Sequence, residues 1–310
     1  MISICIPAYK RLPYLKRLLG SIEGQSYKNF EVVITDDSGD DDEVHKFISS
    51  SNFNFSLTYI KNEQPLGSPK NWLESFKHAK GEWIKIMHDD DYFFSPSSLN
   101  GFVNAVDEKV DCVFSGYQSV YDNGIRKNMT ISSSRFYNFT KDPFILFSNN
   151  IIGPPSVMMF RSSIKEQFDE RLKWIVDWEY YIRLAIKYKL VYVNEPLICV
   201  SYNDSQITNF VKGDPSVEIP EYLIFYNKYN STMLKDIYIY DSWWRLLRNL
   251  RIRTIEEFKS YYSGHVPIFI FQIIKLQALL NYRVLKIGAI SKLFMFYSYM
   301  IFRLKFSTKV

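Results

Sequence analysis

The segment Ile84-Lys85-Ile86-Met87-His88-Asp89-Asp90-Asp91-Tyr92 joins an apolar strand pattern directly to three consecutive acids. Adjacent carboxylates repel one another, so their position at the end of a strand suggests a bound cation. Oxygen ligands suit a hard ion such as Mg²⁺ or Mn²⁺, and these ions also bind phosphate groups. For an isolated triplet, the alternative is a solvated acidic turn. The interpretation therefore depends on what the rest of the chain places around the three acids.

Strand and helix patterns alternate on both sides of this segment. Short apolar runs bounded by turn residues predict strands, and apolar residues at helical spacing predict helices. Alternation of this kind predicts βαβ units and an α/β fold, in which helices flank a mostly parallel sheet. Strands are expected at 2–6, 30–34, 57–60, 83–87, 110–117 and 157–160, with helices over 14–22, 69–80 and 177–189.

Three polar clusters follow strands of this predicted sheet. They are Pro7 to Tyr9, Asp36 with Asp37, and Asp89 to Asp91. Ligands of open α/β sheets bind at the carboxyl ends of the strands, so we expect the clusters to meet at one edge. The chain has no G-x-G-x-x-G or Walker-type loop, which disfavours a dehydrogenase or an NTPase.

Several ordered motifs resemble those of the family-2 glycosyltransferases, which have the GT-A fold, a Rossmann-like α/β architecture. The resemblance covers roughly residues 1–205, and its specificity comes from the order of the motifs rather than from any one of them. Val176 stands where the family often has an acid. The motifs are Ser3–Tyr9, Glu31–Ser38, Asn62–Gly67 with Asn71 and Ala79–Ile84, Asp89–Asp91, and Val176–Leu184.

The resemblance implies a donor site for a nucleotide-sugar, most simply a UDP-sugar. It assigns Asp37 to the imide N–H of uracil and Asp36 to a local cap or a ribose contact. An ordinary turn is the alternative for these two acids, because Asp, Ser and Gly favour turns. The other residues assigned to the donor are Pro7, Ala8 and Tyr9 around the base, Lys70 and Asn71 near the phosphates, and Asp89 and Asp90.

The resemblance also implies a metal site and a catalytic base. Asp91 is expected to bind Mn²⁺ or Mg²⁺ directly, with Asp89 as the second anchor and Asp90 facing the donor sugar. Asp177 is expected to take the proton of the acceptor hydroxyl; the alternative is that Asp177 only caps its helix. His88 is given a structural role. The residues expected to bind the acceptor are Gly153, Pro154, Trp174 and Trp178.

The carboxyl-terminal segment is basic and apolar. The net charge of the 310-residue chain is +5, and residues 264–310 contain seven Lys or Arg and no acid. Gln272, Lys275, Arg283 and Lys286 would form one polar stripe on a continuous helix, which suits a helix lying in a membrane interface. A helical subdomain packed on the catalytic core and an oligomer contact are the alternatives. Nucleic acid is disfavoured because the segment is too apolar.

These expectations divide the chain into three regions. Residues 1–115 form the nucleotide-sugar-binding half of the GT-A domain and 116–214 its acceptor-binding half. Residues 215–310 form a helical, membrane-associating appendage. Cys5, Cys112 and Cys199 are expected to be buried free thiols in a reducing compartment. The N-terminus shows no signal-peptide pattern, so a cytoplasmic protein, peripherally bound to the inner membrane, is expected.

The predicted function is that of an inverting, metal-dependent glycosyltransferase. It would transfer a sugar to a hydroxyl of a lipid-linked oligosaccharide during assembly of O-antigen or capsule. A processive synthase is disfavoured by the lack of a Q-x-x-R-W motif. A sugar-phosphate nucleotidyltransferase is disfavoured by the lack of a glycine-rich amino-terminal loop. A non-catalytic scaffold is disfavoured because Asp37, Asp89, Asp91 and Asp177 are all present.

Overall fold

The computed structural model describes residues 1–202, 211–229 and 231–306. Two compact units are formed by the described residues. The first unit contains residues 1–143 and 150–172, together with the described residues from 176 to 202. The second contains residues 144–149, 173–175 and the described residues after 210. Residues 203–210 of the predicted acceptor-binding half and residues 230 and 307–310 of the predicted appendage lie outside the described residues.

A nine-stranded sheet organises the first unit in the part of the chain that the structure describes. Its strand order is β3-β2-β1-β4-β8-β6-β9-β5, with β7 paired to β6. The first four strands of this order are mutually parallel, as are β6 and β9. This confirms the predicted mostly parallel α/β sheet. The strands are β1 (Ile2–Ala8), β2 (Phe30–Asp36), β3 (Ser56–Lys61), β4 (Trp83–Ile86), β5 (Tyr92–Phe93), β6 (Cys112–Tyr121), β7 (Arg126–Met129), β8 (Met158–Arg161) and β9 (Leu190–Tyr202).

The central strands are buried because helices pack against the sheet. Every residue of β1 and β2 is buried, as expected for the interior of a parallel sheet. Helix α1 (Leu12–Glu23) contributes one such cover, with Leu15, Leu18, Leu19 and Ile22 buried at helical spacing. The other helices of this unit are α2 (Glu43–Ser50), α3 (Lys70–Lys77), α4 (Ser98–Asn104), α5 (Ser133–Lys141) and α7 (Val176–Lys187).

Strand β9 was not apparent in the sequence pattern. It runs for 13 residues but shifts register against β6, where Ser115 pairs with Val193 and Gly116 with Pro196. Gly116 is required at this bulge because a Cβ atom there would lie 2.9 Å from the Glu195 carbonyl oxygen. The irregularity interrupts the alternation that would have marked a long strand.

The second unit is helical and has an aromatic core. Trp243 is fully buried, and its ring centroid lies 6.2 Å from Phe147, 5.4 Å from Tyr222 and 5.3 Å from Phe269. Within the described ranges, no helix is both long and apolar enough to cross a membrane. The helices are α6 (Ile145–Ser148), α8 (Pro215–Tyr229), α9 (Ile237–Asn249), α10 (Ile255–Tyr261), α11 (Ile268–Ala278), α12 (Tyr282–Leu285) and α13 (Gly288–Phe306).

The predicted polar stripe of the carboxyl-terminal segment is wrong. Helix α11 ends at Ala278 and α12 begins at Tyr282, so Gln272 and Arg283 do not share one helix. The Gln272 side chain also points inward, where its Nε2 donates to the Ser298 Oγ at 3.2 Å. The intervening Leu279 to Asn281 break the continuous helix that the periodicity argument assumed.

Candidate active site

The carboxyl ends of β1, β2 and β4 bring the three polar clusters together. The Asp37 N–H donates to the Ala8 carbonyl at 2.9 Å. The Tyr9 N–H donates to Asp89 Oδ2 at 3.1 Å. The expected meeting of these clusters at one edge of the sheet is therefore confirmed.

A cleft of about 690 Å³ opens at this edge, formed by residues 9–10, 37–42 and 61–65. Tyr9 is 52% exposed and presents its ring at the cleft. Lys10 lines the same cleft and adopts a positive φ of 57°, a conformation that non-glycine residues rarely adopt. Among the residues assigned to the donor, Tyr9 and Asp37 line the cleft.

Asp36 and Asn71 lie behind the cleft and support it. Asp36 accepts hydrogen bonds from the Ser38 N–H at 2.9 Å and the Tyr59 hydroxyl at 2.7 Å. The Asn71 amide donates to the Thr35 carbonyl at 3.1 Å. Both side chains are buried. Asp36 therefore acts as a local cap, and the direct donor contacts assigned to Asp36 and Asn71 stay predictions.

Asp37 lines the cleft and holds the loop beside it. Its carboxylate accepts from the Asn62 amide at 2.6 Å, the Leu66 N–H at 2.9 Å and the Gly67 N–H at 2.7 Å. A carboxylate has about four acceptor positions, so these contacts leave room for one ligand N–H. Asp37 can thus hold the loop from Asn62 to Gly67 and contact a base at the same time.

We expect Asp37→Asn to weaken donor binding about tenfold or more and to lower the free energy of unfolding by about 1–3 kcal/mol. The amide NH₂ would oppose one or more of the three donors that the carboxylate now satisfies. Isothermal calorimetry and thermal melting measure the two effects. The matched control is Asp40→Asn, an exposed acid of the same cleft. Equal effects of the two variants would contradict a specific role of Asp37.

Lys70 begins α3 and makes a surface ion pair. Its Nζ lies 3.8 Å from Glu170 Oε2, and both side chains are about half exposed. Exposed pairs of this kind are weak. The ion pair therefore leaves the Lys70 ammonium available to a phosphate group, the contact predicted for it.

Arg11 neutralises two of the three consecutive acids. Its guanidinium pairs with Asp89 Oδ1 and, at 2.8 Å, with Asp90 Oδ2. Arg11 and Asp89 are 78 residues apart in the chain, so their pairing depends on the fold. Asp89 is therefore held between Arg11 and the Tyr9 N–H.

Asp91 is buried among groups that fix its orientation. Its Oδ1 accepts from the Ser201 N–H at 3.1 Å, and the Ser156 hydroxyl is a second hydrogen-bond partner. Burial raises the pKa of Asp91 to about 8, with the charge of Asp90 as the next cause. A carboxyl group in this position gains from a neighbouring cation, because the cation offsets the cost of ionising it out of water.

His88, Asp90 and Asp91 form a donor set that fits a divalent cation. One potential ligand atom from each lies within 4.8 Å of the other two. The buried His88 Nε2 has no hydrogen-bond partner among the described residues. Burial lowers the pKa of His88 to about 4, so its imidazole is neutral and available as a ligand. Of the two predicted ligands, Asp91 belongs to this set and Asp89 does not. Asp90 and His88 are the members that were not predicted as ligands.

The turn at residues 150–157 connects this cluster to the predicted base. Ser156 lies in the 3-10 turn Pro155–Val157, and its Oγ accepts from the His88 N–H at 3.0 Å. The buried Lys85 ammonium donates to the Ser156 carbonyl. At the other end, the Asn150 amide donates to Asp177 Oδ2 at 2.9 Å. Gly153 is required there, because a Cβ atom would lie 2.6 Å from the Tyr117 ring.

Asp177 lies at the start of α7, half-buried, and its Oδ1 accepts from the Trp178 N–H at 2.9 Å. Gly153, Pro154 and Trp178 belong to the same unit as Asp177, whereas Trp174 belongs to the second unit. The Trp174 N–H donates to the Glu221 carboxylate at 2.9 Å. Sequence reasoning missed Arg11, Asn150 and Glu221, and of these only Arg11, a cation near the Pro-x-Tyr turn, left a usable signal.

Comparison with known proteins defines the class. An α/β sheet with a nucleotide-sized cleft and an acidic cluster at its edge is the GT-A arrangement, and solved glycosyltransferases share this fold. S. aureus TarS in complex with UDP-GlcNAc aligns with a TM-score of 0.60 at 17% identity, covering 96% of this chain and 86% of that one. The mannosyltransferase PcManGT from Pyrobaculum calidifontis, in complex with GDP-Man and Mn²⁺, gives 0.53 at 13% identity, covering 98% and 86%.

The chain belongs to glycosyl transferase family 2, whose family model matches residues 3–168. It is therefore a glycosyltransferase. An uncharacterized glycosyltransferase of Haemophilus influenzae is 24% identical over 66% of this chain and 69% of its own length. The putative colanic acid biosynthesis glycosyl transferase WcaA of Escherichia coli is 24% identical over 74% and 81%. The abequosyltransferase RfbV of Salmonella typhimurium is 36% identical over 29% and 28%.

Proposed function

We propose that this protein is an inverting, metal-dependent glycosyltransferase that moves a sugar from a nucleotide-sugar to an acceptor hydroxyl. The observation that carries the proposal is the turn at residues 150–157. The Ser156 hydroxyl of this turn accepts from the His88 N–H and is hydrogen-bonded to Asp91, and the Asn150 amide donates to Asp177. The turn thereby links the site proposed for the leaving diphosphate to the proposed base. A single displacement requires at least these two groups.

The roles of the residues follow from their surroundings. In the proposed reaction the acceptor oxygen attacks the anomeric carbon, the bond from that carbon to the diphosphate breaks, and Asp177 takes the hydroxyl proton. His88, Asp90 and Asp91 would hold the Mn²⁺ or Mg²⁺, with Asp89 as the anchor that the resemblance assigns. A divalent ion, when bound, supplies positive charge that stabilises the departing diphosphate. Asp37 and Tyr9 bind the base of the donor.

The donor is proposed to be a UDP-sugar and the acceptor a lipid-linked oligosaccharide. The bound UDP-GlcNAc of TarS supports the first choice, although PcManGT binds GDP-Man. The names of WcaA and RfbV support assembly of a surface polysaccharide such as O-antigen or capsule. A lipid-linked acceptor places the enzyme at the inner face of the membrane, as a peripheral cytoplasmic protein contacting it through residues 264–310.

A thermal-shift screen of UDP-, GDP- and dTDP-sugars with and without Mn²⁺ tests the proposal. A ligand at 100 times its Kd stabilises the folded state by about 2.7 kcal/mol, so the correct donor should raise the melting temperature clearly. We expect a UDP-sugar to do so, and more strongly with Mn²⁺. Uridine with Mn²⁺ is the control that lacks the diphosphate. Failure of all three nucleotides to stabilise the protein would contradict the proposed function.

A further inference from the structure

Helix α13 carries a stripe of exposed apolar side chains along one side. At 100° per residue the five positions fall within an arc of about 100°. Their exposed fractions range from 43% for Met300 to 72% for Leu304. We call this surface the α13 stripe; it consists of Leu293, Phe296, Tyr297, Met300 and Leu304.

The opposite side of α13 is buried and mixed in character, carrying Ser291 and Ser298 together with the apolar Met295 and Phe302. The Ser291 Oγ accepts from the Trp244 indole N–H at 3.0 Å. The Ser298 Oγ is hydrogen-bonded to the Tyr240 hydroxyl at 2.7 Å. A helix on the surface of a water-soluble protein usually buries apolar side chains and turns polar ones to the solvent. Helix α13 departs from this pattern on its outer side, where the side chains of the α13 stripe are apolar.

The positive charge beside the stripe favours an anionic partner. The exposed Lys292 lies about 100° from Leu293 around the helix axis, beside the stripe. Residues 264–310 contain seven Lys or Arg and no Asp or Glu. Two copies meeting through the stripe would bring their exposed Lys292 side chains near a surface of the same sign, which disfavours a dimer. An anionic surface offers the complementary charge.

We propose that the α13 stripe lies on the surface of an anionic lipid bilayer. The apolar side chains enter the boundary between headgroups and acyl chains, and Lys292 contacts the lipid phosphates. The proposal assigns the membrane contact of residues 264–310 to the α13 stripe. The biological purpose of that contact rests on the proposed function. A lipid-linked acceptor would then be concentrated in the plane in which the enzyme is held.

Flotation of the full chain with vesicles tests this surface. The vesicles contain either phosphatidylglycerol with phosphatidylcholine or phosphatidylcholine alone, and no nucleotide is present. The protein should float with the anionic vesicles and much less with the neutral ones. The double variant Leu293→Glu with Tyr297→Glu should reduce flotation at least about tenfold, because two apolar side chains are then no longer available for burial in the bilayer.

The matched control is Ile125→Glu with Tyr137→Glu, which alters an aliphatic residue and a tyrosine that are each 58% exposed in the first unit. It should float like the wild type. Circular dichroism melting establishes that both double variants fold. Lys292→Glu should weaken flotation, and the loss should shrink as salt is added.

Three outcomes would overturn the inference. They are absence of flotation by the wild type, equal flotation of both double variants, and a dimer in light scattering that the Leu293 and Tyr297 substitutions dissociate. Calorimetry of donor binding on the same preparations separates this inference from the proposed function. Donor binding without flotation contradicts only the membrane surface, whereas flotation without donor binding contradicts only the proposed activity.

Discussion

Asp177→Asn is expected to lower the rate of sugar transfer by about 10²- to 10⁴-fold, the usual contribution of a positioned general base. Affinity for the donor should change little, because the residues assigned to the donor are other ones. An amide oxygen can still accept the Trp178 N–H at the start of α7, whereas the amide NH₂ would face the Asn150 amide that now donates to Oδ2, so the melting temperature is measured as well. Single-turnover kinetics and calorimetry measure the two quantities separately.

The control must separate catalysis from helix capping. Asp236 precedes α9 and accepts from the Tyr238 N–H at 2.6 Å, a local contact of the same kind as that of Asp177. Asn caps helices about as well as Asp, so Asp236→Asn should leave both turnover and melting temperature nearly unchanged. If Asp177→Asn also retained near-normal turnover, Asp177 would be a cap and the base would be another residue.

The sequence predicted the sheet well because the physical signal is local. Each of β1, β2 and β4 is a short apolar run that ends at a polar cluster, and parallel pairing then brings the clusters to one edge. Strand β9 was missed because Pro196 and its neighbours form a bulge that breaks the alternation. The polar stripe was placed wrongly because periodicity alone cannot show that Leu279 to Asn281 interrupt a helix.

The partners of the site residues depend on tertiary structure and could not be predicted in the same way. Arg11 lies beside the Pro-x-Tyr turn, yet its pairing with Asp89 and Asp90 requires β1 and β4 to be adjacent. Asn150 contacts Asp177 across a separation of 27 residues that includes β8. Motif positions thus identify the groups that carry chemistry, whereas the side chains that orient them become visible only in the fold.

The family resemblance and the structure assign different metal ligands beside Asp91. The resemblance pairs Asp91 with Asp89, whereas the structure groups Asp91 with Asp90 and His88. Asp89 accepts from both Arg11 and the Tyr9 N–H. Both ligand sets contain Asp91, so substitution of Asp91 is the decisive test of the metal site. The effects of substituting Asp89 and Asp90 on Mn²⁺ affinity can then be compared with it.

Asp91→Ala is expected to weaken Mn²⁺-dependent binding of the nucleoside diphosphate by more than the roughly 10- to 100-fold typical of outer-shell substitutions. Asp91→Asn keeps an acceptor for the Ser201 N–H but lacks the charge, so it should bind Mn²⁺ almost as poorly while folding normally. Calorimetric titration with Mn²⁺ alone measures the effect without any turnover. Affinity unchanged in both variants would remove Asp91 from the metal site.

Asp89→Asn and Asp90→Asn then distinguish the two ligand sets. Each substitution removes one charge and leaves Arg11 with the other acid as a partner. If the cluster of His88, Asp90 and Asp91 holds the ion, Asp90→Asn should weaken Mn²⁺ binding more than Asp89→Asn does. The reverse order would mean that Asp89 leaves Arg11 to bind the ion, so that Arg11 balances the acidic cluster only while the metal is absent.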